Sequence, residues 1–284
     1  MAVGVVGAIE PRLRVSEIER ANRKPPQSLD AYDLYLRALG QFHMHSREGA
    51  LNAVDLLKRA LAIDPTYAPA AALIGECCVT RRAHGWGPVS DANVEESVRL
   101  ARQAIQWGKD DPDTLWMAAI TLCDFAGEYA TAARVIERAL TLNPNSAHAW
   151  NAKGWVAYRL NQLDSAIDAL QRAIRLSPLD PLGGYFSGGL SLALLASGRY
   201  EEALEWAVLS LHEFPEYAPA IRSKAVACVQ LGRIDEARNE VRRLVDLHPG
   251  TTIAKWQATV VRYLPPPVLA VYVDSLRQAG MPEV

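Results

Sequence analysis

Ala173-Ile174-Arg175-Leu176-Ser177-Pro178 is the stretch that decides the fold. It runs from a small residue through apolar positions and stops at a proline, which lacks a backbone N–H and clashes with the preceding helical turn. The same cadence returns in Ala60-Leu61-Ala62-Ile63-Asp64-Pro65, Ala139-Leu140-Thr141-Leu142-Asn143-Pro144, Ser210-Leu211-His212-Glu213-Phe214-Pro215 and Leu244-Val245-Asp246-Leu247-His248-Pro249. The later copies recur at about 34 residues, with a longer interval before Pro215 where Leu179–Gly184 carries an insertion. A poorer copy ends near Pro112, after Ala104-Ile105-Gln106-Trp107. A fixed period of this size marks a repeat architecture, in which each unit buries its apolar face against its neighbours.

Within a period, Ala166, Leu170 and Ala173 follow at steps of four and three and share one helical face. Trp150, Gly154 and Ala157 do the same on the segment before, so each copy reads as helix, short turn, second helix and stop. Small residues such as Gly75, Gly154, Ala166 and Ala237 let two helix backbones approach. Gly127, Asn161, Gly198 and Gly232 fall between paired helices, where a left-handed residue is easiest for Gly or Asn.

Trp150, Gly154, Tyr158, Ala166, Leu170, Ala173 and Pro178 together resemble the tetratricopeptide repeat, except that Ala157 holds the family's aromatic slot and Tyr158 follows it. The resemblance covers roughly residues 31–250, about six repeats. It implies an all-α fold: a right-handed α-solenoid of helix-turn-helix repeats with helical caps at both ends. Residues 1–30 are expected to form an amino-terminal capping helix and linker, with a helix over Val3–Ala21, a break at Arg23-Lys24-Pro25-Pro26 and an N-cap within Ser28-Leu29-Asp30. Residues 251–284 are expected to form carboxy-terminal capping helices, Thr252–Tyr263 ended by Pro265-Pro266-Pro267, then Val268–Gln278 stopped by Gly280. Caps of this kind cover apolar faces that open solenoid ends would expose.

A narrower resemblance rests on Val5-Val6-Gly7-Ala8-Ile9-Glu10-Pro11, Ala31-Tyr32-Asp33-Leu34-Tyr35-Leu36-Arg37 and Leu276-Arg277-Gln278-Ala279-Gly280-Met281-Pro282-Glu283. These strings are similar to the carboxy-terminal tetratricopeptide region of bacterial multidomain regulators, where it follows a class III adenylate cyclase or winged-helix domain and a TolB-like segment. None of the cyclase's metal-binding carboxylates has a counterpart in this sequence, and no winged helix precedes the repeats, so no catalytic or DNA-binding residue carries over.

Composition narrows the function further. The 284 residues are 50% apolar and 22% charged, enough to bury a core. Thirty basic against 32 acidic side chains leave a formal charge of −2, which argues against a general nucleic-acid binder. Four scattered cysteines do not make a disulfide framework, and no apolar run reaches the length of a membrane span. The expectation is a cytoplasmic chain with no nucleic-acid and no membrane partner.

The search for chemistry yields structural readings. Cys78, Cys123 and Cys228 fall in one inward slot of three repeats, and Cys77-Cys78 lacks zinc-site spacing. His43, His45 and His84 are expected as partly exposed helix residues, since the first two point to different helix faces and no acid or thiolate completes a metal site. Gly183-Gly184-Tyr185-Phe186-Ser187-Gly188-Gly189 matches neither a phosphate loop nor a nucleophile elbow and is expected to form a widened turn between repeats, with a hinge as its functional variant. Asp110-Asp111-Pro112-Asp113 is read as helix capping, and Arg238, Arg242 and Arg243 among Asp235, Glu236 and Glu240 as a solvated, ion-paired face. The chain is expected to be no enzyme and to need no metal or cofactor.

What remains is the inner surface that the family resemblance assigns to the first helix of each repeat, which typically holds a partner's peptide or helix. Residues there not spent on packing are Arg37, Gln41 and Met44 in the first repeat and Glu76 in the second. Met117, Thr121 and Asp124 follow in the third, and His148, Asn151, Trp155, Tyr158 and Arg159 in the fourth. Tyr185 and Arg222 complete the set. Trp155 with Tyr158, Asn151 and Arg159 has the aromatic, donor-rich character of interface anchors, although Trp155 could equally pack against the next repeat. Trp86, in the insertion Arg81–Pro88, either docks a neighbour or covers its own repeat. Val271, Tyr272 and Leu276 could form a stripe for self-association into a homodimer, or cap the last repeat.

Overall fold

The computed structural model describes residues 15–24, 29–261 and 263–284. The string Val5–Pro11, the first part of the helix expected over Val3–Ala21, and the Pro25-Pro26 break lie outside the described residues. Among those described there are helices and turns but no strand. A helix over 15–23 (α1) precedes six helix pairs in chain order. They are α2 (Ala31–Phe42) with α3 (Arg47–Ile63), α4 (Ala68–His84) with α5 (Asp91–Trp107), and α6 (Pro112–Thr121) with α7 (Tyr129–Leu142). Next come α8 (Ala147–Arg159) with α9 (Leu163–Leu176), α10 (Gly183–Ala196) with α11 (Tyr200–Glu213), and α12 (Ala218–Gln230) with α13 (Ile234–Leu247). Two cap helices follow, α14 (Ile253–Val260) and α15 (Pro266–Gln278). This is the all-α repeat fold expected from the period, and the expected turn residues take left-handed backbone: φ is 67° at Gly127, 57° at Asn161, 76° at Gly198 and 74° at Gly232.

The chain divides into two compact units. One runs up to Val156 and takes in Arg175–Pro181; the other comprises Ala157–Ile174 and everything from Leu182. The repeat block expected over 31–250 is therefore shared between them.

In the first unit, α4 packs against α3, α5 and α6. Its closest approach is set by Gly75: a Cβ there would lie 2.4 Å from Thr121 Oγ1, so only glycine lets α4 and α6 meet. The Thr121 hydroxyl donates back to Met117 O at 3.0 Å. One turn on, α6 widens into a π-turn over Leu122–Ala126 that Gly127 closes. Asp30 caps α2, with Asp33 completing a reciprocal capping box. Asp33 is fully buried and pairs with Lys24 at 2.6 Å. The expected capping by Asp111 is present: its carboxylate accepts from the backbone N–H groups of Asp113 and Thr114.

In the second unit, α10, α11 and α12 form the core. Here the structure corrects the sequence reading. Gly183–Gly189 is not a turn but the first half of α10. A Cβ at Gly184 would lie 2.5 Å from the Phe214 ring, and one at Gly188 would lie 2.8 Å from the Tyr217 ring. The glycines accommodate two aromatic rings, and that packing outweighs their poor helix propensity. Buried hydroxyls join the same helices: Ser191 donates to Ala203 O at 2.6 Å and lies 2.5 Å from the Ser223 hydroxyl, while Ser210 donates to Gly184 O.

The prolines after α14 do more than end it. Pro265 is the N-cap of α15, and Pro266 and Pro267 open it, where a missing N–H costs nothing. The stripe considered for self-association is also corrected. Tyr272 is 1% exposed and Leu276 0%, because α15 packs on α12 and α13. The carboxy-terminal tail returns to α14, where Ile253 N–H donates to Pro282 O and Ala254 N–H to Glu283 O. Those residues cap the last repeat.

Candidate functional site

The cysteines are buried and the Arg238–Arg243 face is paired, as the sequence led one to expect. All four cysteines are free and buried. Arg238 pairs with Asp235 and Arg243 with Glu240, while Arg242 donates to Asn239. The histidines differ from expectation: α2 ends at Phe42, so His43 caps it and His45 sits in the following turn at φ 47°. Burial pushes His45 down to about 4, partly offset by the Pro181 backbone. His84 is buried at the end of α4, and its ring stacks on Trp86 at 4.2 Å. Trp86 is itself half-buried.

The first-helix candidates divide between the two units. In the first unit, several members are already committed. Arg37 donates to the carbonyls of Ala21, Asn22 and Lys24, tying α1 to α2. Gln41 accepts from Asn52 at 3.3 Å. Met117 and Thr121 are buried. The His148 ring stacks on Trp116 at 5.3 Å, and its Nε2 is 3.4 Å from the buried Asp180 carboxylate. Trp155 is half-buried. Met44 is exposed.

Two members keep unused capacity. Glu76 is half-buried, and its Oε2 has no hydrogen-bond partner. Burial, with the nearby charge of Asp124 second, pushes its carboxyl up to about 8. Asn151 Oδ1 is likewise buried and without a partner. Asp124 itself lies in the π-turn, its carbonyl accepting from Arg82, whose guanidinium sits 4.2 Å over the Phe125 ring. π-turns recur at functional positions because they shift side chains out of the α-helical register.

In the second unit, Arg159 lies 4.2 Å over the Tyr263 ring and 5.9 Å from the ring of Tyr158. Tyr158 and Tyr263 meet edge-on at 6.1 Å. Tyr158 is buried and its hydroxyl faces that of Tyr272; burial raises both phenols well above their usual range. Tyr272 in turn stacks on Trp256 at 5.4 Å. Tyr185 packs on Phe214 at 4.8 Å and edge-on to Tyr217 at 5.2 Å. Arg222 has Tyr263, Tyr217 and Tyr272 as its electrostatic neighbours, and burial depresses its guanidinium. Tyr217, Tyr263 and Tyr272 were not singled out as site residues from the sequence. They come from the N-cap of α12, the segment after α14 and the middle of α15, so no local pattern joins them.

A family model described as tetratricopeptide repeat matches residues 125–181, and a second of the same description matches 189–259. These two stretches of the chain are similar to the tetratricopeptide repeat. Among curated relatives of the repeat region, Putative adenylate cyclase 3 of Rhizobium meliloti (strain 1021) is 27% identical over 118 residues, 42% of this chain and 20% of that protein. Small glutamine-rich tetratricopeptide repeat-containing protein 2 of Mycosarcoma maydis is 38% identical over 80 residues, 28% of this chain and 22% of that one. The chain thus spans about a fifth of the length of the curated relatives it matches. Solved repeat structures share the fold. The human IFIT1 dimer with m7Gppp-AAAA aligns with a TM-score of 0.65 at 14% identity, over 90% of this chain and 60% of that one. The type IV pilus biogenesis factor PilW gives 0.54 at 16% identity, over 78% and 94%. No helix among the described residues is long and apolar enough to cross a membrane.

Proposed function

We propose that the chain is a non-catalytic scaffold that binds a segment of a protein partner along the first helices of its repeats. The observation that carries this is the pair of polar atoms Glu76 Oε2 and Asn151 Oδ1, both on first helices, both buried and both without a hydrogen-bond partner. A buried acceptor left unpaired costs about 1–3 kcal/mol, and a partner's backbone N–H or side-chain donor would remove that cost. The similarity of residues 125–181 and 189–259 to the tetratricopeptide repeat supports an interaction role in general. The test is a selection of random peptides displayed on phage against the immobilised full chain. Enriched peptides should bind the wild type and bind Asn151→Ala at least several-fold more weakly, with helicity by circular dichroism unchanged. Failure to enrich any sequence would overturn the reading.

A second reading is favoured by one finding, the match to part of Putative adenylate cyclase 3. In that case the repeats are a regulatory or dimerising module attached to another domain. Immunoblotting source cells with antibody to this chain separates the two: a band near 31.1 kDa supports a free-standing adaptor, and a much larger one the module.

A further inference from the structure

The register of the second helices isolates one pair of residues. At the two positions before the residue that opens each stop cadence, the chain carries Lys58-Arg59, Arg102-Gln103, Glu137-Arg138, Gln171-Arg172 and Arg242-Arg243. In α11 the same two positions are Val208 and Leu209. They face water, 47% and 51% exposed. Exposed aliphatic residues scattered singly are ordinary, but these two are adjacent and replace polar residues that every other second helix keeps there. The fold does not use them: α11 packs on α10 and α12, and the residues it buries are Ala203, Leu204, Ala207, Ser210 and Leu211.

Glu205 and His212 complete the exposed face. Each stands three and four residues from the apolar pair, so the four side chains form one diamond on the helix surface. Neither makes an ion pair or hydrogen bond among the described residues, whereas Glu202, nearly one turn back, is held by Arg199 at 2.6 Å. Glu205 and His212 are also equidistant from the midpoint between Val208 and Leu209. A two-fold axis through that midpoint pairs α11 with an antiparallel copy of itself, sets Val208 against Leu209 and brings each Glu205 opposite the other copy's His212. Apolar meets apolar at the centre, and acid meets imidazole at both ends. An unrelated helix would need the same groups in reverse order to match as well. Crossing at about 50°, the angle at which i±4 ridges interdigitate, parts the helix ends, so that Glu201 of one copy clears Glu216 of the other.

We infer that Val208 and Leu209, flanked by Glu205 and His212, form the face through which the chain pairs with a second copy of itself. This goes beyond the scaffold reading and does not depend on it, since α11 is the second helix of its repeat and Glu76 and Asn151 lie on first helices. It also moves self-association from α15, whose Tyr272 and Leu276 are spent on the last repeat, to α11. A single helix crossing is a small interface, so the dimer belongs to the weak, concentration-dependent class.

Sedimentation equilibrium of the full chain, from micromolar to hundreds of micromolar concentration, tests this. The mass should rise from 31.1 kDa toward twice that value. The double variant Val208→Lys, Leu209→Arg gives α11 the residues of α3 and should weaken association roughly 30-fold or more, with an unchanged thermal midpoint. If it melts lower, the charge variants decide, because they alter only exposed polar side chains. Glu205→Lys and His212→Glu should each weaken self-association about 5-fold or more. Mixing these two variants should restore it as a heterodimer, since the introduced lysine then faces the introduced glutamate and the native pair survives at the other end. A chain that stays at 31.1 kDa throughout overturns the inference, as does a dimer untouched by the double variant. Charge variants that leave the dimer intact, or that fail to complement when mixed, overturn it too, by removing the self-complementarity that points to a second copy. None of these outcomes bears on the phage selection, so the scaffold reading stands or falls separately.

Discussion

Glu76 shows how one side chain links the fold to a measurable pH dependence. Its neighbours are Asp124 and the thiol of Cys77, with the cationic Arg81 beyond that thiol. The folded-state pKa of about 8 lies above the ordinary 4.5, so the folded chain holds this proton more tightly than the unfolded one. Its contribution therefore turns unfavourable as pH rises from about 4.5 to about 8 and is constant above that. His45 works the other way, with its folded pKa near 4 against 6.5, so its stabilising contribution is complete above 6.5 and is lost toward 4. Between pH 7 and 9 only Glu76 of the two is titrating. Glu76→Gln should accordingly melt a few degrees above the wild type at pH 8.5, on a scale of about 2–4 °C per kcal/mol, with the difference shrinking toward pH 5. Fluorimetric melting curves across that range check it; an offset independent of pH would assign the effect to packing instead.

At the scale of elements, the crossing of α4 and α6 depends on one missing Cβ. Alanine is the better helix former by about 1 kcal/mol, so Gly75→Ala would stabilise an isolated α4. In the fold its methyl would stand 2.4 Å from Thr121 Oγ1 and 2.8 Å from Thr121 Cγ2, and overpacking of this kind costs about 1–3 kcal/mol. The variant should lose thermal stability, and adding Thr121→Ala should restore most of it, because both clashing atoms leave together. A double-mutant cycle by urea denaturation measures that coupling, and strictly additive losses would refute it. The same logic explains α10, a helix opened by glycines because Phe214 and Tyr217 occupy the space where side chains would be.

For the whole molecule, the decisive feature is the closure of the last repeat. Removing residues 250–284 would uncover the faces of α12 and α13 that α15 now covers, including the contacts of Tyr272 and Leu276. Burying either side chain contributes about 1.5–3 kcal/mol, so the shortened chain should melt roughly 10 °C or more lower. It should also bind the dye ANS. An unchanged midpoint without dye binding would show that the last repeat is stable uncapped.

The sequence by itself determined the repeat, the helix pairs, the left-handed turn positions and the burial of the cysteines. Each of these follows from local rules: period, proline stops, and which residues tolerate positive φ. The family resemblance, together with helical phase, also offered Arg222, Glu76 and Asn151 as candidates on first helices. Only tertiary structure decided which of them kept unsatisfied groups. Arg37 is spent on the carbonyls of Ala21, Asn22 and Lys24, and His148 on Trp116 and Asp180, through contacts to segments far away or of no fixed spacing. Gly183–Gly189 misled for the same reason, since local propensity favours a turn and two distant aromatic rings overrule it. Phase along a helix is a property of the chain; the partner a side chain finds across a crossing is a property of the fold.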